Sequence, residues 1–165
     1  MPDKISILLV DDHNLVRLGF RRIVEDSPKM VVVGEAADGN EAVNLTQKLR
    51  PAVVVMDCAL PGMNGLLATR RIRETVPETR ILMLSMHSEE TWVRQALEAG
   101  ASGYLLKNIL DLELVSAIEK VAAGEIVIDA QISRPEALKG ERGCGLSARE
   151  LKGLRVMCGG EARRG

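Results

Sequence analysis

The sequence predicts an α/β fold, namely a doubly wound, five-stranded parallel sheet with helices on both faces. Five short aliphatic runs recur without alternating with polar residues, as is typical of strands that are buried on both faces of a parallel sheet. A segment with helical spacing of apolar residues follows each run. The chain of 165 residues contains one Phe, one Trp and one Tyr, so the core must be packed mainly with aliphatic side chains and methionine.

The predicted elements alternate strictly along the chain. Strands are predicted at residues 5–10, 30–33, 53–56, 81–84 and 104–106. Helices are predicted at residues 16–24, 42–49, 66–76, 93–100 and 114–122. Because each strand is followed by a helix, successive strands are expected to lie parallel to one another.

A shift in composition divides the chain near Gly124. Eight of the 15 glycines lie in the 42 residues 124–165, and the net charge changes from −3 before this point to +2 after it. We therefore predict one α/β domain over residues 1–123, a linker over residues 124–145 and a separate short segment over residues 146–165.

Composition and charge exclude several classes of protein. The net charge is −1 and the calculated isoelectric point is about 6.2, so the whole chain carries no basic signature for nucleic acid. No apolar stretch approaches the roughly 18 residues of a membrane span, and no secretory pattern is present. The three cysteines lack metal-site spacing, which predicts free thiols in a reducing, cytoplasmic environment.

Polar side chains follow four of the five predicted strands. The first strand is followed by Asp11 and Asp12, the third by Asp57, the fourth by Ser85 and the fifth by Lys107. Since ligands of open α/β sheets bind outside the carboxyl ends of the strands, we expect these groups to form one site. Taken singly, either aspartate after the first strand is equally compatible with a helix N-cap. Taken singly, Asp57, Ser85 and Lys107 favour an ordinary turn residue, a hydrogen-bonded hydroxyl and a surface charge.

Such a group of residues predicts metal-assisted phosphoryl chemistry. Crowded carboxylates repel each other, and Mg²⁺ would relieve that repulsion through oxygen ligands. A metal and the ammonium group of Lys107 can neutralise a phosphoryl group in transfer, and Asp57 is the best candidate for the nucleophile. Two enzymatic alternatives are an electron carrier and a phosphoester hydrolase. The first strand-to-helix turn lacks the glycine-rich cradle of a nucleotide or flavin site, which argues against the electron carrier. Ala59 stands where the hydrolase would have a second aspartate.

Four stretches resemble a bacterial response-regulator receiver domain, which has a flavodoxin-like fold with strand order 2-1-3-4-5. They are LLVDDH at 8–13, VMDCALPGMNG at 55–65, LSMH at 84–87 and AGASGYLLK at 99–107. The resemblance implies that Asp57 accepts a phosphoryl group from a phosphohistidine of a sensor histidine kinase. It also implies that Asp12, Asp57 and the backbone carbonyl of Ala59 bind Mg²⁺, with Asp11 acting mostly through water.

The same resemblance implies a conformational switch. Lys107 would pair with the phosphoryl oxygens, Ser85 would turn inward to bond the phosphoryl group, and Tyr104 would follow into the space vacated. It further implies a protein that is not a turnover enzyme, with a possible homodimer through the face made of the fourth helix, fifth strand and fifth helix. Without the resemblance, the sequence favours an ordinary half-buried strand aromatic at Tyr104.

The segment 146–165 opens with LSAREL, in which Ser147 and Glu150 fit a capping box. This motif resembles the first helix of a LuxR-type helix-turn-helix domain and implies a parent protein of the NarL/FixJ class of transcription regulators. Such a domain needs about 60 residues and a recognition helix, whereas 20 residues run from Leu146 to the end. DNA binding is therefore expected of a full-length parent and not of this chain; the alternative is a DNA-binding regulator in its own right.

Overall fold

Strands and helices alternate in a computed structural model that describes residues 4–108, 111–130 and 132. The strands are β1 (Ile5–Val10), β2 (Met30–Ala36), β3 (Val53–Asp57), β4 (Arg80–Ser85), β5 (Gly103–Leu106) and β6 (Val127–Ile128). The helices are α1 (Asn14–Glu25), α2 (Gly39–Leu49), α3 (Gly65–Thr75), α4 (Glu90–Ala99) and α5 (Asp111–Ala122). The α/β class predicted from the aliphatic runs is confirmed.

All the strands join one parallel sheet in the order β2-β1-β3-β4-β5-β6. β3 is buried along its whole length, which explains its unbroken aliphatic sequence. One core cluster combines alternate residues of the strands with the inner sides of α1 and α5; it includes Ile7, Leu9, Val24, Val53, Val55, Leu82, Leu84, Leu114 and Ile118. The intervening strand residues Leu8, Val54, Met56, Ile81 and Met83 are equally buried, so both faces of the sheet are covered.

The prediction of five strands was wrong by one. The sixth strand, β6, has two residues, and it pairs with β5 through Gly103 opposite Val127 and Tyr104 opposite Ile128. A two-residue strand leaves no periodic pattern, and Gly124 favoured a linker at this point. The sheet therefore extends into the range 124–145 that was predicted to be linker.

The chain divides into two units. Of the described residues, one unit comprises those up to His87 with Gln95–Asp129 and contains the whole sheet; the other comprises Ser88–Arg94, Ala130 and Ile132. Within Ser88–Arg94, the Trp92 N–H donates to the Glu89 carbonyl oxygen over 3.1 Å and begins the helical turns of α4. The LuxR-type segment predicted at 146–165 lies outside the described residues.

Side-chain caps fix where two helices begin. The carboxylate of Asp38 accepts the N–H of Glu41 over 2.8 Å at the start of α2. The amide oxygen of Asn64 accepts the N–H of Leu67 over 2.9 Å at the start of α3. Such bonds satisfy amide groups that have no partner within the helix, so each cap sets the length of the loop before it.

Candidate functional site

Two buried carboxylates meet at the carboxyl edge of the sheet. Asp57 is the last residue of β3, and Asp11 directly follows β1. The two strands are paired in register up to Val10 opposite Met56, so the next residue of each strand lies at the same level. Each aspartate is only 3% exposed. The parallel register therefore brings together two side chains that are 46 positions apart in the sequence.

The ammonium group of Lys107 lies between these carboxylates. Its Nζ is 3.0 Å from Asp57 Oδ2 and 3.1 Å from Asp11 Oδ2. The backbone N–H of Lys107 donates to the carbonyl oxygen of Ser85 over 2.9 Å, which anchors the lysine at the end of β4. One cation thus balances part of the charge of two buried anions, which are costly to bury unpaired.

Burial and the hydrogen bonds between Asp57 and Lys107 act in opposite directions on the pKa values of these two residues. Burial raises the pKa of Asp57, with a further contribution from the negative charge of Asp11, while the hydrogen bonds from Lys107 and the Ala59 N–H lower it; burial prevails. For Lys107, burial lowers the pKa, but the hydrogen bonds to Asp57 and Asp11 outweigh it and raise the pKa overall. The lysine therefore stays cationic over the physiological pH range.

Oxygen and nitrogen ligands cluster around these carboxylates. Asp11, Asp12, His13 and Asp57 each offer one ligand atom, and these atoms lie within 4.8 Å of one another. The backbone N–H of His13 donates to Asp11 Oδ1 over 2.8 Å, and the ring Nδ1 lies 3.1 Å from Asp12 Oδ1. Three carboxylates with one partly exposed member fit a hard divalent cation that keeps some of its waters, as Mg²⁺ does.

The remaining predicted residues lie around this cluster. The N–H of Ala59 donates to Asp57 Oδ1 over 3.1 Å, and Ala59 itself is exposed; its carbonyl as a metal ligand stays a prediction. Ser85 ends β4 and is 1% exposed, and its Oγ accepts the N–H of His87 over 3.0 Å. Tyr104 is fully buried in β5, and its hydroxyl donates to the His87 carbonyl oxygen over 2.7 Å.

Residues 7–119 match the family described as the response regulator receiver domain. The chain belongs to this family. The match covers more than half of the chain and spans Asp11, Asp57 and Lys107, so the group of side chains described above lies inside the receiver domain.

Several regulators are similar to this chain. The response regulator UvrY of Escherichia coli (strain K12) is 44% identical over 134 residues, which are 81% of this chain and 62% of that protein. The response regulator GacA of Pseudomonas aeruginosa is 38% identical over 135 residues, 82% of this chain and 63% of that protein. The chain therefore spans less than two thirds of the length of these relatives.

Solved structures agree with the receiver fold. A two-component response regulator of the LuxR family from Aurantimonas sp. SI85-9A1 matches with a TM-score of 0.76 and 45% identity, over 79% of this chain and 93% of that one. The signal receiver domain of the putative response regulator NarL from Mycobacterium tuberculosis matches with a TM-score of 0.73 and 39% identity, over 75% and 100% of the two chains. Among the described residues of this receiver, none of the helices has the length and apolar character that crossing a membrane requires.

An arginine that the sequence analysis missed supports the receiver site from α1. The guanidinium group of Arg17 donates to the backbone carbonyl oxygen of Asp11, and its Nε donates to Glu35 Oε1 over 2.8 Å. Arg21 also pairs with Glu35, and the hydrogen bonds from both arginines hold the pKa of Glu35 below its usual range against burial. The only sequence signal was a basic residue one turn into the first helix.

The thiol next to the central carboxylate is inert in the receiver. Burial, with a contribution from the charge of Asp57, raises the pKa of Cys58 to about 11. Its backbone instead organises the loop: the N–H donates to the Leu84 carbonyl oxygen over 2.9 Å, and its carbonyl oxygen accepts the N–H of Gly65 over 3.1 Å. A thiol with so high a pKa is protonated near neutral pH, so it is a poor nucleophile.

Proposed function

We propose that this receiver accepts a phosphoryl group on Asp57 from the phosphohistidine of a sensor histidine kinase. One observation carries the proposal: a nearly buried carboxylate ends the central strand β3 with its Oδ2 only 3.0 Å from the Nζ of Lys107. Its Oδ1 accepts the N–H of Ala59, which orients the carboxylate. A carboxylate fixed in this way can act as a nucleophile towards phosphorus.

The transfer balances as a simple displacement. A carboxylate oxygen of Asp57 forms a bond to phosphorus, the phosphorus–nitrogen bond of the phosphohistidine breaks, and the imidazole leaves with that electron pair. The product is an acyl phosphate that carries more negative charge than the carboxylate. Lys107 is placed to neutralise that charge, since its ammonium group already contacts Asp57 and Asp11.

Mg²⁺ is the proposed cofactor of this site. Asp12 and Asp57, together with the backbone carbonyl of Ala59, would hold the ion, and Asp11 would act mostly through water. The bound ion supplies positive charge that screens phosphoryl oxygens from the carboxylates. The clustering of ligand atoms of Asp11, Asp12 and Asp57 within 4.8 Å of one another supports the carboxylate part of this assignment.

The response to phosphorylation is proposed to run through Ser85 and Tyr104. Ser85 lies at the end of β4, beside the strand that carries Asp57, and its hydroxyl can turn to bond a phosphoryl oxygen. The His87 N–H would then lose the Oγ acceptor that it has here. Because the Tyr104 hydroxyl bonds the carbonyl oxygen of the same residue, the two side chains would respond together.

A parent transcription regulator is proposed from the relatives. The similar DegU of Brevibacillus brevis is a transcriptional regulatory protein, and ExaE of Pseudomonas putida is a transcriptional activator protein. We further propose that the receiver acts in the cytoplasm as a switch and not as a turnover enzyme. When phosphorylated, it would form a homodimer through α4, β5 and α5. DNA binding is assigned to a full-length parent; independent DNA binding by this chain is not favoured.

The test is intact mass spectrometry of the purified chain with Mg²⁺ and acetyl phosphate. The wild type should gain one phosphoryl group, Asp57→Asn should gain none, and Asp26→Asn, which changes an exposed carboxylate at the end of α1, should behave as the wild type. A wild type that gains no mass, or an Asp57→Asn variant that gains as much, would refute the proposal. A sizing column run on the same samples tests the homodimer.

A further inference from the structure

A third buried carboxylate lies at the end of β6, outside the acidic cluster formed by Asp11, Asp12 and Asp57. Asp129 directly follows this strand and is only 8% exposed. A carboxylate is costly to bury unless hydrogen bonds compensate for the lost water. The phosphoryl chemistry proposed for Asp57 does not involve the Asp129 carboxylate. The hydrogen bonds of Asp129 therefore need a separate explanation.

Asp129 binds the backbone of β5 at two points. Its N–H donates to the carbonyl oxygen of Tyr104 over 2.9 Å, and its Oδ2 accepts the N–H of Leu106 over 3.0 Å. The pairing of the two strands ends at Tyr104 opposite Ile128. The carboxylate therefore takes the acceptor position that a longer sixth strand would have filled with a backbone carbonyl.

The other edge of β5 leads to the acidic cluster. Leu106 is paired with Ser85, and the N–H of the next residue, Lys107, donates to the Ser85 carbonyl oxygen over 2.9 Å. The end of β5 is thus held between β4 on one side and Asp129 on the other. The two bonds are made by the adjacent residues Leu106 and Lys107, where the chain leaves β5.

We propose that Asp129 is a positioning residue that holds the end of β5 so that Lys107 reaches Asp57. The inference rests on the proposed function of Asp57 as phosphoacceptor and deepens it.

The experiment compares the wild type with Asp129→Ala, Asp129→Asn and the control Glu125→Ala. Glu125 is an exposed carboxylate in the connection between α5 and β6, on the other side of that strand from Asp129 in the sequence. The rate constant of phosphoryl uptake from acetyl phosphate with Mg²⁺ is measured by intact mass, and the melting temperature is measured for each variant. Asp129→Ala should slow uptake by about tenfold, because a charge-assisted hydrogen bond to the backbone is lost.

Asparagine keeps an oxygen acceptor at the same position, so Asp129→Asn should restore the rate to within about threefold of the wild type. Glu125→Ala should leave it unchanged. A purely structural role predicts a lower melting temperature for Asp129→Ala but an unchanged rate constant while the protein is folded. That result overturns the inference.

A second measurement separates this inference from the proposed function. Amide hydrogen exchange of Lys107 reports the backbone at the end of β5 without any phosphoryl transfer. Asp129→Ala should raise this exchange rate by about tenfold, whereas no change would overturn the inference. If the wild type takes up no phosphoryl group, the proposed function fails and the exchange of Lys107 alone decides whether Asp129 positions it.

Should Asp129→Ala fail to fold, Asp129→Glu takes its place. Glutamate keeps the charge and the carboxylate but moves the acceptor by one methylene group. Both the uptake rate and the exchange of Lys107 should then fall between the values of the wild type and those expected for the alanine variant. Values equal to those of the wild type in both measurements would contradict the positioning role.

Discussion

The hydroxyl group of Tyr104 donates a hydrogen bond to the backbone carbonyl oxygen of His87 over 2.7 Å. The N–H of the same His87 donates to Ser85 Oγ over 3.0 Å. The side chains of Tyr104 and Ser85 are almost fully buried. One backbone residue therefore connects the two side chains that are proposed to form the switch, and a change in the partner of either must alter the surroundings of the other.

Tyr104→Phe should destabilise the fold modestly. The variant keeps the ring in its buried place but removes the bond to His87, which typically lowers the free energy of unfolding by about 1 kcal/mol. Urea unfolding followed by circular dichroism measures this change. In a double-mutant cycle with Ser85→Ala, the two losses should not be additive, since both act on one peptide segment. Strict additivity would argue against the link through His87.

Lys107→Ala should slow phosphoryl uptake by Asp57 while leaving Mg²⁺ binding largely intact. Without the ammonium group, two buried carboxylates face each other, so the pKa of Asp57 should rise further and the acyl phosphate should lose its counter-charge. Phosphorylation should also become uncoupled from any change in oligomeric state. Intact mass, calorimetric Mg²⁺ titration and a sizing column measure the three effects.

Lys29→Ala is the matched control for that variant. Lys29 is largely exposed and pairs with Glu119 at 3.6 Å on the surface, so its removal should change neither uptake nor Mg²⁺ binding. If both lysine variants slow uptake equally, the effect of Lys107 reflects net charge and not its position beside Asp57.

The predictable parts of the site were those set by strand ends. Asp11, Asp57 and Lys107 could be assigned to one edge because parallel strands deliver their carboxyl ends to the same side of a sheet. Arg17 and Asp129 could not be found in this way. Asp129 bonds the backbone of β5, and a backbone donor leaves no residue type to read in the sequence. Arg17 pairs with the side chain of Glu35, which is 18 positions away, and no strand end or spacing marks that pair.

The strands likewise differ in how well the sequence predicts them. Long aliphatic runs such as β3 could be predicted because burial on both faces demands apolar residues at every position. β6 was missed because its two residues depend on a neighbour, β5, for their pairing and not on any pattern of their own. Local glycines then favoured a linker over a strand.

Arg17→Met should remove a contribution to stability that depends on pH. The arginine pairs with Glu35, whose pKa in the folded protein lies below the unfolded value of 4.5. A depressed pKa stabilises the fold above pH 4.5, and this contribution is lost as the pH falls through the folded pKa. The wild type should therefore exceed Arg17→Met in stability at about pH 7, and the difference should shrink in acid. Urea unfolding over this pH range tests the trend; a constant difference would contradict it.

Gly65→Ala should disturb the backbone of the phosphoacceptor, whereas Gly19→Ala should stabilise the protein. A methyl group at Gly65 would lie 2.4 Å from the Asp57 carbonyl oxygen and 2.9 Å from Cys58 Cα, so the backbone of the site must move. Such overpacking typically lowers the free energy of unfolding by about 1–3 kcal/mol, and it should also slow phosphoryl uptake. Gly19 lies within α1 with nothing within 4 Å of an added methyl group, so alanine there should raise stability by roughly 0.5–1 kcal/mol.

The two glycine variants distinguish a close approach from a general effect of adding a methyl group. Urea unfolding gives the stability of each, and intact mass gives its rate of phosphoryl uptake. We expect the two substitutions to shift the unfolding midpoint in opposite directions. Only Gly65→Ala should slow phosphoryl uptake, because of the two glycines only Gly65 lies against the backbone of Asp57. Equal and small effects of the two substitutions would mean that the loop after β3 can move away from Asp57 without disturbing it.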